Sequence, residues 1–192
     1  EESVDVLRHF TKLKCRLMPY LFDAARMAHE RGIPVMRPMI LEFPDDPACD
    51  TLDRQYMLGD SLLVAPVFSE DGRVDYYLPE GRWTHFLTGE VIDGGRWRRE
   101  QHDYMSLPLL VRPNTAIVVG SNDSRPDYEY AADFTLRVYQ MAEGATAHAV
   151  IPAADGSALV TFSIERTGGT LTITWKGSPL RWQVLLAGIP SV

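Results

Sequence analysis

The strongest constraint on this fold is a break at Gly32-Ile33-Pro34, where the spacing of the apolar residues changes. Before it, Val6, Phe10, Leu13, Leu17, Leu21, Ala24 and Ala28 recur at helical spacing, so residues 3–31 are predicted as one amphipathic helix. Ser3 is the expected N-cap, with Asp5 in the first turn. Gly32 suits the left-handed residue that ends a helix, and Pro34 cannot continue one. Pro19 lies inside the segment, where it should kink the helix or cost it a hydrogen bond.

Beyond Pro34 the pattern is period two and short apolar runs. Strands are expected at 35–41, 61–68, 74–78, 83–87, 109–111 and 116–119. Asp71-Gly72 and Glu80-Gly81 read as tight turns, and residues 44–53 as a long acidic loop. The polar run 121–127 marks a boundary. After it, strands are expected at 134–140, 158–164, 170–175 and 182–186, with Gly168-Gly169 as a hairpin turn. That turn sets Val160, Phe162 and Ile164 against Leu171, Ile173 and Trp175. The expected fold class is mainly β, an N-terminal helix followed by two small antiparallel β-sandwich domains. Phe43, Leu62, Val64, Val67, Leu78, Trp83, Leu109, Val111 and Val118 are expected in the core of the first.

Charge and cysteine usage narrow the function classes. Lys and Arg number 19 against 26 Asp and Glu, a formal charge of −7 with no basic run, so neither nucleic acid nor an anionic membrane is expected as a partner. No apolar run approaches the roughly 20 residues of a membrane span. The N-terminal residues are acidic and lack a signal-peptide pattern. Cys15 and Cys49, with no Cys-x-x-Cys or Cys/His spacing, are expected as free thiols in a reducing, cytoplasmic setting.

The motifs say more. Arg37-Pro38-Met39-Ile40-Leu41-Glu42-Phe43-Pro44-Asp45-Asp46 is followed by Gln55-Tyr56-Met57-Leu58-Gly59-Asp60-Ser61 and Leu62-Leu63-Val64-Ala65-Pro66-Val67. Then come Leu78-Pro79-Glu80-Gly81-Arg82-Trp83 and Leu107-Pro108-Leu109-Leu110-Val111-Arg112. In this order and spacing they resemble the C-terminal part of glycoside hydrolase family 31, which contains retaining α-glucosidases and α-xylosidases. Arg16-Leu17-Met18-Pro19-Tyr20-Leu21 is similar to the last helix of that family's (β/α)8 barrel. Thr84-His85 after Trp83, and Pro152-Ala153-Ala154-Asp155-Gly156, look most like the bacterial α-xylosidase branch. The resemblance implies a barrel helix in residues 1–33, a proximal sandwich in 34–120 and an incomplete distal one in 121–192. It also implies a double-displacement enzyme with an Asp nucleophile and an Asp acid/base on barrel strands that precede this chain. No metal or organic cofactor is implied. The α-glycoside substrate would be a partner through the missing barrel.

The residues themselves offer no catalytic, cofactor-binding or metal-binding set. Retaining glycosidases need two carboxyl groups about 5–5.5 Å apart. Asp45 with Asp46, Asp50 with Asp53, and Asp60 read instead as turn formers, Asp60 pairing with Arg54 or Arg37. His9, His29, His85, His102 and His148 have no ligand spacing. Trp83, Trp97, Tyr76, Tyr77 and Tyr104 read as core or as sugar platforms, and residues 96–99, Arg-Trp-Arg-Arg, as a solvated loop. Two functions remain: a structural fragment of a glycosidase, or a stand-alone carbohydrate-binding β-sandwich module. The amphipathic helix favours the first, and its apolar stripe is expected to find the first sandwich or the same helix of a second copy, giving a homo-oligomer or, failing that, poor solubility.

Overall fold

The computed structural model describes residues 2–188. Helix α1 spans Glu2–Arg31 and ends at Gly32, whose φ of +70° is the left-handed conformation expected there. Its start differs from expectation. Ser3 is inside the helix, and Glu2 and Asp5 place negative charge in the first turn, where it suits the helix dipole. Pro19 is buried within α1, and the helix continues through it.

Fourteen strands follow among the described residues. The first nine are β1 (Met36–Pro38), β2 (Tyr56–Leu58), β3 (Leu62–Val64), β4 (Arg73–Leu78), β5 (Arg82–His85), β6 (Val91–Asp93), β7 (Arg96–Gln101), β8 (Leu109–Val111) and β9 (Thr115–Gly120). After them come β10 (Asp133–Tyr139), β11 (Thr146–Pro152), β12 (Ala158–Thr167), β13 (Thr170–Lys176) and β14 (Arg181–Ala187). They form an antiparallel sheet in the order β1-β2-β3-β8-β5-β6, a β4-β7 ribbon, and two three-stranded sheets, β14-β10-β9 and β11-β12-β13.

Three strands explain why the sequence holds continuous apolar runs. In β3, Leu63 and the following Ala65 enter a core shared with the ribbon, whereas Leu62 and Val64 enter a second core under α1. In β8, Leu110 joins the first core, and Leu109 and Val111 the second. In β9, Ile117 and Val119 face the second core, while Ala116 and Val118 face a third, between the two three-stranded sheets. A strand buried on both faces has no polar alternate. The residues expected in one core are therefore divided among three, with Phe43 and Val67 packed at the edge of the first.

Several expectations are corrected. The strand at 35–41 stops at Pro38, which has no N–H to give a ladder, and Met39–Glu42 forms a helical turn, α2. Residues 96–99 are not a loop. They lie in β7, where Arg99 pairs with Asp75 across the ribbon at 2.6 Å. Strand β11 escaped the pattern because Ala147 and Ala149 are small, weak strand formers. Strand β14 returns to lie parallel beside β10, from Asp133↔Arg181 to Tyr139↔Ala187. Two of the expected hairpin pairs form, Phe162 with Trp175 and Ile164 with Ile173, while Leu171 lies opposite Arg166, across a turn in which both glycines have positive φ.

Helix α1 packs on β9 and β11 of its own chain. Leu17 and Tyr20 are buried with Leu62, Val64, Ile117 and Tyr139, and Leu13 and Leu21 lie against them. The part of the stripe at Leu13, Leu17 and Leu21 is thus covered within one molecule, on its own chain and without a second helix.

Candidate functional site

The Arg37–Phe43 motif builds a buried charge hub. The curl of α2 brings Glu42 back to Arg37, whose Nη1 donates to Glu42 Oε1 at 2.6 Å. Arg112, just after β8, donates through Nη2 to Glu42 Oε2 at 2.8 Å. One carboxylate thus ties two guanidiniums that are 75 positions apart in the chain. Arg37 also donates to the Pro34 carbonyl, and Arg112 lies 4.7 Å over the Phe43 ring. Each oxygen of Glu42 accepts from one guanidinium, so the hub is a clamp whose carboxylate is committed to two charges.

The expected partners of Asp60 are therefore engaged elsewhere in the case of Arg37. Asp60 accepts from the Ser61 hydroxyl at 2.6 Å. Asp46 forms a turn as expected, accepting from the Ala48 amide at 3.1 Å, and its second oxygen accepts from the Tyr77 hydroxyl at 3.0 Å. No group of three or more His, Cys, Asp and Glu among the described residues could hold a metal ion. Cys15 and Cys49 are unpaired and buried, and burial, with Asp46 and Asp50 adding, pushes the Cys49 thiol up to about 11.

A second cluster centres on Glu100. Its Oε1 accepts from Tyr76 and Arg98, and its Oε2 meets His102 Nε2 at 3.1 Å. His102 Nδ1 in turn meets Ser106 Oγ at 3.1 Å. This carboxylate–histidine–serine string has the distances of a nucleophilic relay, but Ser106 donates its proton to Asp103 at 2.8 Å. With that proton so placed, the histidine is not positioned to activate the hydroxyl as a base. Burial works against ionisation of Glu100, yet the bonds from Tyr76, His102 and Arg98 outweigh it and hold its carboxyl below the ordinary range.

The five aromatic candidates separate. Trp83 and Tyr76 are fully buried, and Trp83 donates to the Pro79 carbonyl. Tyr77 is half-buried and faces Trp97 across the ribbon, with ring centroids 5.9 Å apart. Trp97 is 60% exposed and Tyr104 70%. The sequence-level signal for Trp97 was its place in a charged run, which was read as a loop. A feature missed entirely is Gln55: its side-chain amide accepts from the Tyr77 amide and donates to the Tyr77 carbonyl, both at 2.7 Å. Tyr20 was also missed. Its hydroxyl donates to the Leu58 carbonyl at 2.6 Å and accepts from the Ser61 amide at 3.0 Å, which fastens α1 to the β2–β3 turn.

Two depressions border these clusters. A groove of about 460 Å³ runs beside α1, lined among others by Phe10, Pro66, Val67, His102, Tyr104 and Leu107. An open cleft of about 670 Å³ lies beside Tyr77.

Residues 32–117 match the glycosyl hydrolase family 31 C-terminal domain, and residues 129–192 match the C-terminal domain of the alpha-xylosidase YicI. The chain belongs to glycosyl hydrolase family 31. It is 36% identical to the alpha-xylosidase XylQ of Lactiplantibacillus pentosus, an alignment that covers 92% of this chain and 24% of that protein. It is 44% identical to an alpha-xylosidase of Emericella nidulans, over 66% of this chain and 17% of the relative. Among solved structures, a family 31 alpha-xylosidase from Xanthomonas citri superposes with a TM-score of 0.77 at 25% identity, covering 95% of this chain and 22% of that one. A family 31 dextranase from Flavobacterium johnsoniae gives 0.78 at 26% identity, with 90% and 23% covered. The chain thus spans about a quarter or less of the length of these family 31 relatives.

Proposed function

We propose that this chain is the non-catalytic C-terminal region of a retaining alpha-glycosidase, an alpha-xylosidase or alpha-glucosidase that hydrolyses terminal α-linked xylosyl or glucosyl residues. The observation that supports it is the succession of two C-terminal family matches, in chain order, in a chain that spans 24% of the alpha-xylosidase it resembles. On this reading residues 1–33 are the last helix of a (β/α)8 barrel, 34–120 a proximal sandwich and 121–192 a distal one. The α-glycoside would bind at the barrel.

The role of the region is structural. The Tyr20 hydroxyl fixes α1 against the β2–β3 turn, so a helix belonging to the barrel would carry the position of the six-stranded sheet with it. The apolar groove at Phe10, Val67, Tyr104 and Leu107 is the surface we assign to the rest of the parent enzyme, whose relatives are about four times longer. The two buried, unpaired cysteines support a reducing compartment, in keeping with a cytoplasmic enzyme. No helix among the described residues is long and apolar enough to cross a membrane.

The chain alone should release aryl groups from α-xylosides and α-glucosides only at the buffer rate. Turnover that persists through purification and disappears in Asp46→Asn or Asp60→Asn would overturn the proposal.

A further inference from the structure

We infer that the outer face of the β4–β7 ribbon, at Tyr77 and Trp97, binds the pyranose rings of a neutral oligosaccharide. Trp97 sits in a regular strand, opposite Tyr77, yet keeps 60% of its surface in water. Burying its apolar area would be favourable, so an exposed indole beside a second aromatic ring offers a surface on which a ligand can stack. The two rings are tilted by 57° at a centroid distance of 5.9 Å, so they form an angled wall, and the indole keeps most of its surface in water.

The wall is rigid. The main chain of Tyr77 is held by the Gln55 amide, and its hydroxyl by Asp46, which is itself held by the Ala48 amide. An aromatic fixed before binding loses little conformational freedom when a ring stacks on it. Polar acceptors stand beside it. The adjoining cleft of about 670 Å³, which Tyr77 lines and Trp97 does not, is bordered by Asp45, Asp46, Glu80, Gly94 and Gly95, a volume that suits a small-molecule ligand. Its carboxylates accept hydrogen bonds and repel anions. Of the arginines beside Trp97, Arg99 is engaged by both oxygens of Asp75 and Arg98 by Glu100, while Arg96 is exposed. An aromatic plane flanked by carboxylate acceptors fits a polyol of no charge: C–H groups meet the ring and hydroxyls meet the oxygens. This inference goes beyond the structural role and does not depend on it, since the surface contains no part of the groove beside α1.

Titration of the full chain with maltotriose, isomaltotriose and xylobiose, followed by tryptophan fluorescence and by the indole N–H resonances, tests it. At least one sugar should saturate in the millimolar range and shift the Trp97 resonance. Trp97→Ala should weaken that binding by about tenfold, and Trp175→Ala, a second exposed indole on β13, should not. The Asp45→Ala, Glu80→Gln double variant, altered only at exposed positions, should weaken it severalfold; it decides the matter if Trp97→Ala fails to fold. Absence of saturable binding by any of the three sugars, or unchanged affinity in whichever of these variants folds, would overturn the inference.

Discussion

The side-chain amide of Gln55 exchanges two hydrogen bonds with the main chain of Tyr77, each 2.7 Å long. It occupies the place a neighbouring strand would take beside β4, whose only strand partner among the described residues is β7. Gln55 is 5% exposed, so water does not readily replace it. Gln55→Ala should cost about 2 kcal/mol, since it leaves a buried amide and carbonyl without partners. Gln55→Glu should cost at least as much, because a carboxylate accepts from the Tyr77 amide but opposes its carbonyl. Urea denaturation of the three proteins measures both, and equal midpoints would refute the assignment.

Glu42 is the common partner of Arg37 and Arg112, and the Arg37 side chain is 8% exposed. Removing one member of a buried pair leaves a charge uncompensated, at a cost of about 3–5 kcal/mol. Glu42→Ala should therefore be severely destabilised. The Arg37→Met, Glu42→Leu double variant should be less so, because the more deeply buried guanidinium goes with the carboxylate and only the part-exposed Arg112 is left without its partner. A double-mutant cycle in denaturant tests the coupling.

Gly59 adopts φ +64° directly under Tyr20, and a Cβ there would stand 2.2 Å from the Tyr20 hydroxyl oxygen and 2.7 Å from its ring carbon. Gly59→Ala should destabilise more than Tyr20→Phe, which loses the two hydroxyl bonds at a cost of about 1–3 kcal/mol. Combining them should not restore stability, because the ring still blocks the Cβ. Thermal melts of the three variants distinguish steric from hydrogen-bond loss.

Acid should weaken the fold in two steps. Burial holds the His85 imidazole below its ordinary 6.5, against the opposing pull of Glu100 and the Leu107 backbone, with His102 acting in the same sense as burial. The unfolded chain then binds that proton first, so stability is full above 6.5 and falls as pH drops from there towards the depressed folded value. The Glu100 carboxyl lies below its ordinary 4.5, so its contribution is present above 4.5 and is lost as pH falls through the folded value. Melting temperatures between about pH 8 and pH 3 should show both declines. Glu100→Gln should flatten the lower one and His85→Asn the upper.

Much of this was legible because it is local. Gly32 and Pro34 mark the helix end through backbone conformation alone, and Gly168-Gly169 sets the register of Phe162 on Trp175 through turn geometry. What was hidden depends on distant partners. Nothing near Glu42 in the chain announces Arg112, and Gln55 looks like any polar residue until β4 lies beside it. The short β2 and β6 are strands because neighbours pair with them. Charge misled at residues 96–99, where Arg98 meets Glu100 on the same strand and Arg99 meets Asp75 across the ribbon. Exposed aromatics and buried ones have the same letters, so only the fold separates Trp97 from Trp83.

Strand β9 gives alternate side chains to two different cores while its backbone pairs with β10. The match to the first family domain ends at residue 117, inside that strand. A gene fusion that joined the front of this chain to the back of a cousin at that seam would bring together halves of one strand shaped by different ancestors. Ile117 would come from one parent and Val118 from the other, each facing packing partners it had never met. Lineages carrying such a strand should inherit these two halves together, and crossovers between them should survive only where the parents already agree on both faces.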